Sequence, residues 1–515
     1  MRRRALLAAA GGICSVLPFF WDKLFLASLA GSALYFAAMY DGGRLKRSFS
    51  LSMIYGAAFY LPLYYWFTAL YPFGHFGFTP VQGWVIIVAA CVGISAVHSL
   101  ALASVMKLAS FLHVAKPVLP AVFACAIMLD EFLISLGSLG FSWGMTASAQ
   151  TGFLPAVQTV SVFGAYFVTV IVTVSGALIG LAICDVPSRR KLWLCVGAGI
   201  YCANAIAGTV LLYSDPHSTG EFDVACVQGN ILSNEKWDNS YALSVERYAV
   251  PACELATSGE YDLVVLPESS FPFLFDTGSS LANEISDSAR QGDTAVLMGV
   301  LLNTQTGKFN GTIAADSDGS YSSAYGKRHL VPFGEYIPAL FKSISFIENL
   351  NLGGMDYTPG QDSALITLRN GIRIGSLVCF DSIFSSLSRE SVRDGATLLV
   401  VVTNDSWFKD TRAVYQHASF SKLRAIETGR CVVRAANTGV SMLIDSKGRV
   451  ISELGPLVQG VVDGTVYTSD NMTLYTRIGD VVLWAAPLLT ALAQIFMILA
   501  NRNKRNSNGD DSDEM

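Results

Sequence analysis

Charged residues are scarce in this sequence of 515 residues: Asp, Glu, Lys and Arg make up 15%, whereas apolar residues make up 52%. This balance is unusual for a soluble protein and predicts membrane-spanning segments. A basic excess is also absent, because 35 Lys and Arg stand against 40 Asp and Glu. The charge therefore gives no reason to expect a nucleic-acid partner.

Paired cysteines are missing as well. The ten cysteines are scattered along the chain, with no C-x-x-C pair and no spacing typical of metal ligands. This distribution argues against a disulfide scaffold and against a zinc site. We accordingly expect no metal and no cofactor.

Long apolar runs define the predicted membrane spans. A transmembrane helix needs about 20 mostly apolar residues, and no Asp, Glu, Lys or Arg occurs between Arg47 and Lys107. That interval alone has room for two spans. The same reasoning predicts eight spans in total, near residues 5–20, 24–40, 51–71, 81–106, 118–136, 153–184, 192–213 and 481–500.

Basic residues occur in alternate short loops, near positions 2–4, 44–47, 107–116, 189–191 and 502–505. Because Lys and Arg concentrate on the cytoplasmic side, both termini are predicted to be cytoplasmic and residues 214–480 to face outward. The basic start and apolar core of residues 1–20 also fit a signal peptide. Removing that segment would, however, spoil the alternation of basic loops.

Residues 214–480 differ in character, because charged residues return and short apolar runs alternate with amphipathic segments. This alternation predicts an α/β layered fold with a mixed sheet. Asn370-Gly371 between two apolar runs predicts a hairpin with a type I′ turn. Helices are predicted near residues 243–257, 280–291, 385–393 and 413–428.

Three apolar strands end in polar or reactive side chains. These strands are "LVVLPE", which ends at Glu268, "IGSLVC", which ends at Cys379, and "LLVVVTND", which ends at Asn404 and Asp405. Such strand ends are where open α/β sheets bind ligands. A nearby loop, "YGKRHLVPFGEYIP", carries Lys327. A thiol that attacks an acyl group needs a base and a cation for the oxyanion, and Glu268, Lys327 and Cys379 supply one group for each task.

Each of these three residues also has a simpler interpretation. Cys379 fits a small buried apolar residue, Glu268 fits a helix cap after Pro267, and Lys327 fits a solvated surface charge. Their spacing in the sequence does not decide between the two interpretations.

Six segments together resemble the nitrilase-like domain of the apolipoprotein N-acyltransferases: "VQGNILSNEKWD", "LPESSFPF", "YGKRHLVPFGEYIP", "SLVCFDSIF", "TNDSWF" and "RAIETGRCVVRAANTGVS". The resemblance extends to the order of seven spans, an outward domain and one more span. It implies a membrane domain over 1–213, a periplasmic catalytic domain over 214–480, an eighth span over 481–500 and a cytoplasmic tail over 501–515. The expected location is a bacterial inner membrane.

The resemblance implies a Glu-Lys-Cys triad in an αββα sandwich, with Glu268 as base, Lys327 stabilising the tetrahedral intermediate and Cys379 as nucleophile. The implied reaction takes an acyl chain from a phospholipid onto the cysteine. The chain then passes to the α-amine of the diacylglyceryl-cysteine of an apolipoprotein, the last step of lipoprotein maturation. Phospholipid, diacylated apolipoprotein and membrane lipid are thus the expected partners.

Five further residues are candidates for supporting roles. Glu335 and Asp381 are expected to be supporting acids, with Asp381 as a solvent-facing neighbour of the triad. Three aromatic residues are expected to contact the acyl chain or the lipid interface, and these are Trp237, Trp407 and Phe408.

The sequence departs from the family's pattern at two positions. Asp381 follows Phe380 where a Glu is usual, and Ile134 stands where an Arg is expected. Nearby, Asp130 and Glu131 are ionisable residues inside a predicted span, which are costly there. They fit either the outer membrane interface or a role on the substrate side.

Two other functions are compatible with parts of the sequence. A membrane-anchored amidase or nitrilase would use the same triad with water as acceptor, but one span would suffice as an anchor. A transporter with an accessory binding domain would call for paired charges at mid-membrane, and only Asp130 and Glu131 lie within a span, near one end.

Overall fold

The computed structural model describes residues 2–72, 78–236, 240–304, 307–339 and 356–510. Residues before 213, together with the last helix, form a helical bundle, and residues 220–478 form an α/β unit. The helices of the bundle are Arg2–Val16, Ala27–Met39, Ser48–Leu63, Pro80–Ala109, Leu119–Leu133, Leu154–Val157, Val160–Phe163, Ala165–Cys184, Pro187–Leu212 and Val482–Asp510.

Four helices of the described chain are long and apolar enough to cross a membrane: Pro80–Ala109, Ala165–Cys184, Pro187–Leu212 and Val482–Arg502. Each coincides with a predicted span. The other four predicted spans fall on apolar helices of 13 to 16 residues. At 1.5 Å per residue these are shorter than a hydrocarbon core of about 30 Å, so the count of eight spans stays a prediction.

The predicted span over 153–184 begins later than expected. Two short helices precede Gly164, and the continuous helix starts at Ala165. Gly164 has a φ of 80°, and a Cβ atom there would lie 2.6 Å from the ring of Tyr475. The glycine therefore interrupts the helix where a side chain of the α/β unit packs closely.

The α/β unit contains two sheets. Its strands are β1 (Gly220–Gln228), β2 (Leu263–Val265), β3 (Phe271–Leu274), β4 (Ala295–Thr304), β5 (Gly307–Ala315), β6 (Tyr325–Gly326), β7 (Ile366–Thr367), β8 (Arg373–Val378), β9 (Leu398–Thr403), β10 (Val432–Ala436), β11 (Ser441–Ile444), β12 (Val450–Leu454) and β13 (Gly460–Thr468). The first sheet has the order β13-β1-β2-β4-β5-β6, with β3 beside β4, and the second has the order β12-β11-β10-β9-β8-β7. Both mix parallel and antiparallel pairs, as predicted.

The two sheets pack face to face, because apolar residues of both share one buried core that includes Val265, Leu297 and Val400. The first sheet is covered by Val250–Ser258 and Ser280–Gly292. The second is covered by Ser385–Arg393 and Ala413–Thr428, whose apolar residues form a common core with the helical bundle. The result is an αββα arrangement, and its second outer layer contacts the bundle.

The predicted hairpin at Asn370-Gly371 forms between β7 and β8, but its turn is not of type I′. A type I′ turn needs positive φ at both central residues, and only Gly371, at 91°, has one. The Gly371 N–H donates to the Leu368 carbonyl at 3.0 Å. The connection is therefore a three-residue loop that ends on a left-handed glycine.

Candidate active site

Three strands bring polar side chains to one place. Glu268 follows β2, Cys379 follows β8 and Asn404 follows β9, and the Asn404 N–H donates to Glu268 Oε2 at 2.9 Å. The first sheet thus supplies the acid, and the second sheet supplies the cysteine and the donor. Their meeting at neighbouring strand ends agrees with the prediction made from the strand pattern.

Glu268 and Lys327 form a buried ion pair. Lys327 Nζ lies 3.1 Å from Glu268 Oε1 and 2.8 Å from Glu335 Oε1. Asn310, in β5, donates to both carboxylates at 2.7 and 2.9 Å. The Lys327 side chain is 1% exposed, so the surface-charge interpretation is wrong. Glu268 lies in a turn that leads into β3, so the helix-cap interpretation is wrong as well.

The electrostatics of this pair favour its charged form. Burial raises the pKa of Glu268, but Lys327 and the hydrogen bond from Asn310 outweigh burial and leave that pKa below its usual value. Burial likewise opposes the charge on Lys327, yet Glu268 and Glu335 raise its pKa well above the ordinary value. For Cys379, burial and then the negative charge of Glu268 raise the thiol pKa well above its usual value.

Cys379 lies at a sharp turn, where β8 ends and the short 3₁₀ helix Cys379–Ile383 begins. Its φ of 51° lies in the left-handed region, which costs a non-glycine residue about 1–2 kcal/mol. Ser382 Oγ donates to the Cys379 carbonyl at 2.7 Å. The next ring, Phe380, stacks on Phe141 of the helical bundle with centroids 5.7 Å apart. Cys379 is therefore held in a strained turn, here called the cysteine turn, which packs against the bundle through Phe380.

Asp381 is completely buried, so the expectation of a solvent-facing acid is wrong. Its carboxylate accepts from the backbone N–H groups of His329 at 2.8 Å, Arg328 at 3.2 Å and Val378 at 3.2 Å, and from the Tyr325 hydroxyl at 2.9 Å. Burial raises the pKa of Asp381 to about 6 despite these donors. The residue joins the loop that carries Lys327 to the turn that carries Cys379.

Two family models match this chain, one within the helical bundle and the other within the α/β unit. The family model for the apolipoprotein N-acyltransferase N-terminal domain matches residues 11–178, and the carbon-nitrogen hydrolase model matches residues 223–470. The apolipoprotein N-acyltransferase of Geobacter metallireducens is 34% identical over 378 residues, which cover 71% of each chain. The chain belongs to the apolipoprotein N-acyltransferase family.

A second N-acyltransferase, from Gloeobacter violaceus, is 30% identical over 516 residues, which cover 96% of this chain and 95% of the relative. Among solved structures, Nit3 of Saccharomyces cerevisiae, a member of the nitrilase superfamily, is 20% identical, with a TM-score of 0.38 over 48% of this chain and 91% of that chain. The family membership makes this chain an acyltransferase of lipoprotein biosynthesis with a nitrilase-like α/β fold.

A buried network beside the cysteine turn was not predicted for this N-acyltransferase. Asp405 accepts from Thr403 Oγ1 at 2.7 Å and Arg434 Nη2 at 2.8 Å, and it lies 2.8 Å from His417 Nδ1. His417 Nε2 lies 3.1 Å from the Cys379 carbonyl oxygen. Burial raises the pKa of Asp405, but His417 and Arg434 outweigh it and lower that pKa to about 2.

Ligand atoms of Cys379, Asp405 and His417 lie within 4.8 Å of one another, a spacing that would suit a metal ion. The donor set does not favour one, because Arg434 already contacts Asp405 and also lies 3.2 Å from His417 Nδ1. A cation here would face the guanidinium group and would break these hydrogen bonds. The network instead ties the cysteine turn to β9 and to the helix Ala413–Thr428.

A second buried lysine lies behind the Glu268 backbone. Lys236 Nζ donates to the Glu268 carbonyl oxygen at 3.2 Å and to Asn404 Oδ1 at 3.3 Å. Burial lowers the pKa of Lys236 to about 8, although Glu268 opposes this shift. Nothing in the sequence distinguishes Lys236 beyond its place in the "VQGNILSNEKWD" segment.

The three aromatic candidates have different surroundings. Trp237 lies outside the described residues. Trp407 is 39% exposed. Phe408 packs edge-on against Trp66 of the bundle, with centroids 4.9 Å apart. Trp407 therefore presents the free aromatic surface, whereas Phe408 is part of the contact between the α/β unit and the bundle.

The two acids of the predicted fifth span are both buried within the bundle, Asp130 at 2% exposure and Glu131 at 6%. Ile134 follows them directly after the helix Leu119–Leu133. The Glu131 carboxylate accepts from Thr146 and Thr169. Both acids therefore lie in the interior of the bundle, and their depth in the membrane stays a prediction.

Proposed function

We propose that this enzyme transfers an acyl chain from a phospholipid, through a thioester on Cys379, to the α-amine of the diacylglyceryl-cysteine of an apolipoprotein. The observation that carries this proposal is the position of the cysteine turn. Its thiol is close enough to the buried Glu268-Lys327 pair for both charges to act on the thiol pKa, and the neighbouring Phe380 packs on the helical bundle. A thiol at this boundary suits a donor that resides in a membrane.

In the proposed first step, Glu268 accepts the Cys379 thiol proton as the sulfur attacks the ester carbonyl carbon. The directions of the two pKa shifts give the resting state, in which the thiol is protonated and the carboxylate is ionised and free to accept a proton. The carbon–sulfur bond forms, the ester carbon–oxygen bond breaks, and Glu268 returns the proton to the leaving alcohol of the lysophospholipid.

In the second step, the acceptor amine attacks the thioester carbonyl, the carbon–sulfur bond breaks and an amide forms. Glu268 takes the surplus proton from the nitrogen and passes it to the departing Cys379 thiolate, which restores the thiol. Both steps pass through an oxyanion that needs a donor. In the described structure, two of the three Lys327 ammonium protons are engaged by carboxylates, and the third is assigned to this oxygen.

The supporting acids have separate assignments in this mechanism. Glu335 accepts from Lys327 Nζ and from the Val331 N–H, each at 2.8 Å, and it shares the Asn310 donor with Glu268. Asp381 fixes the loop around Lys327 relative to the cysteine turn. Trp407, together with Trp237, is proposed to contact the acyl chain or the lipid interface.

We place the enzyme in a bacterial inner membrane, with eight crossings, both termini cytoplasmic and the α/β unit in the periplasm. The alternation of basic loops supports this orientation. The four long apolar helices are compatible with it, and the four shorter helices would complete the set of crossings.

The decisive experiment separates transfer from hydrolysis. Purified protein is incubated with a defined phospholipid and a synthetic diacylated lipopeptide, and the products are identified by mass spectrometry. The proposal expects an N-acylated peptide and a lysophospholipid, both lost in Cys379→Ser. Release of free fatty acid with no acylated peptide would instead indicate a hydrolase of the amidase or nitrilase type.

A further inference from the structure

A small cavity lies inside the helical bundle, apart from the cysteine site. Its volume is about 40 Å³, whereas one water molecule needs ~10–15 Å³. The polar side chains that line it all offer oxygen atoms, from hydroxyl groups and two carboxylates, and they include Ser28, Ser32, Tyr55, Tyr60, Asp130 and Glu131. A cavity of this size and composition has room for an ion or for a few waters.

The two carboxylates at this cavity are not equivalent. Both oxygens of Glu131 accept hydrogen bonds, Oε1 from Thr146 N at 2.8 Å and Thr146 Oγ1 at 2.6 Å, and Oε2 from Thr169 Oγ1 at 2.6 Å. In contrast, Asp130 Oδ1 is buried with no hydrogen-bond partner in the described structure. Both oxygens of Glu131 are thus satisfied, whereas Asp130 has the Tyr60 hydroxyl as a donor and keeps Oδ1 without a partner among the described residues.

A second oxygen at the cavity is also unpartnered. Ser28 Oγ is buried and has no hydrogen-bond partner among the described residues, and the residue is only 4% exposed. Asp130 and Ser28 belong to different helices, Leu119–Leu133 and Ala27–Met39. Two unpartnered oxygens from separate helices thus line one cavity, and each unsatisfied buried polar group costs about 1–3 kcal/mol.

The charges around the cavity indicate what could satisfy these atoms. No Lys, Arg or His side chain is among the described residues that line it. An unpaired carboxylate in such an interior carries a desolvation penalty of several kcal/mol. Donors that are all oxygen atoms suit a hard cation. A single positive charge beside Asp130 Oδ1 would supply the partner that this oxygen lacks.

We propose that this cavity binds a monovalent alkali cation, with Asp130 Oδ1 and Ser28 Oγ among its ligands. The ion would neutralise the buried carboxylate and link two helices of the bundle. This inference is independent of the acyl-transfer mechanism, because no residue of the cysteine site lines the cavity.

The test measures the melting temperature of the full chain in detergent, with sodium chloride exchanged for choline chloride at constant ionic strength. Choline is too large for the cavity. The wild-type protein is expected to gain ~3 °C or more in sodium, with saturation at high concentration, as for any ligand that binds only the folded state. A melting temperature that is equal in sodium and choline would overturn the proposal and leave a proton to neutralise Asp130.

Two variants make the test specific. Asp130→Asn is expected to lose the sodium response and, in choline, to melt at or above the wild-type temperature, because it removes a buried charge that has no ion-pair partner. A merely structural role would lower its melting temperature in both salts. Asp41→Asn is the control, because Asp41 pairs with Arg4 at 3.0 Å in a partly exposed site and should leave the sodium response intact.

A third variant covers the case in which Asp130→Asn does not fold. Ser28→Ala removes one neutral ligand and should raise the sodium concentration at half-saturation about tenfold, which is equivalent to about 1.4 kcal/mol. An unchanged half-saturation in Ser28→Ala would count against Ser28 Oγ as a ligand. A sodium response retained in Asp130→Asn would overturn the site as a whole.

Discussion

The role of Asp381 gives the most detailed prediction, because its four hydrogen-bond donors come from both sides of the site. Replacing it with Asn keeps the size of the side chain but turns one acceptor oxygen into an NH₂ group. The Tyr325 hydroxyl can rotate to accept from that group, but a backbone N–H such as that of Val378 cannot. At least one buried donor then loses its partner.

The expected cost of Asp381→Asn is about 2 kcal/mol, the middle of the range for one buried unsatisfied donor. If Lys327 then shifts relative to Cys379 and the transition state loses this same amount of stabilisation, thioester formation should slow roughly 30-fold. Asp381→Glu retains an acceptor for every donor and instead pays for one extra methylene, about 1–3 kcal/mol of overpacking in a buried site. It should therefore keep measurable activity.

The assay is single-turnover thioester formation with a phospholipid donor, with melting temperature measured on the same samples. Asp316→Asn is the matched control. Asp316 is also a buried carboxylate, 7% exposed, and it accepts from the N–H groups of Ser317 and Arg369, away from the cysteine. It should lose stability without slowing acylation. A wild-type acylation rate in Asp381→Asn would refute this account of the loop.

Three further predictions follow from the same site and from the orientation. Because the thiol pKa of Cys379 is raised, its alkylation by iodoacetamide, followed by peptide mass spectrometry, should still accelerate through pH 9, and a plateau below pH 8 would contradict this. His417→Ala should slow acylation at least ~10-fold by releasing the cysteine turn, and an unchanged single-turnover rate would refute that role. An impermeant thiol reagent should label a cysteine at Ser320, which is exposed, in intact cells, but one at Ser507 only after lysis, and the reverse pattern would invert the orientation. The labelling background replaces the exposed cysteines Cys184, Cys195 and Cys202.

Much of the α/β unit could be predicted because its signals are local. The helices Ser385–Arg393 and Ala413–Thr428 begin and end where the sequence indicated, and the three apolar runs that end at Glu268, Cys379 and Asp405 overlap β2, β8 and β9. Glu268 and Cys379 became candidates for the same reason, since a buried apolar run that stops on a polar side chain is visible in the sequence. Their catalytic roles came from the family resemblance and stay predictions.

The residues that were missed depend on tertiary structure. Asn310 lies within β5 and reaches both carboxylates only because of the position of that strand in the sheet. His417 lies in the middle of a helix, where nothing local distinguishes it from a core residue, and its partner Arg434 lies in β10. Asp381 was wrongly expected to face solvent. Its position two residues after Cys379 in the sequence does not show which distant groups cover its side chain in the fold.

The central claim is tested most directly by intact-protein and peptide mass spectrometry after exposure to phospholipid without an acceptor. The account predicts one added acyl chain, labile to hydroxylamine as a thioester, on Cys379 of the wild-type protein. It predicts none on Glu268→Gln, in which the proton acceptor is removed. An acyl chain on another cysteine, or normal thioester formation in Glu268→Gln, would contradict it.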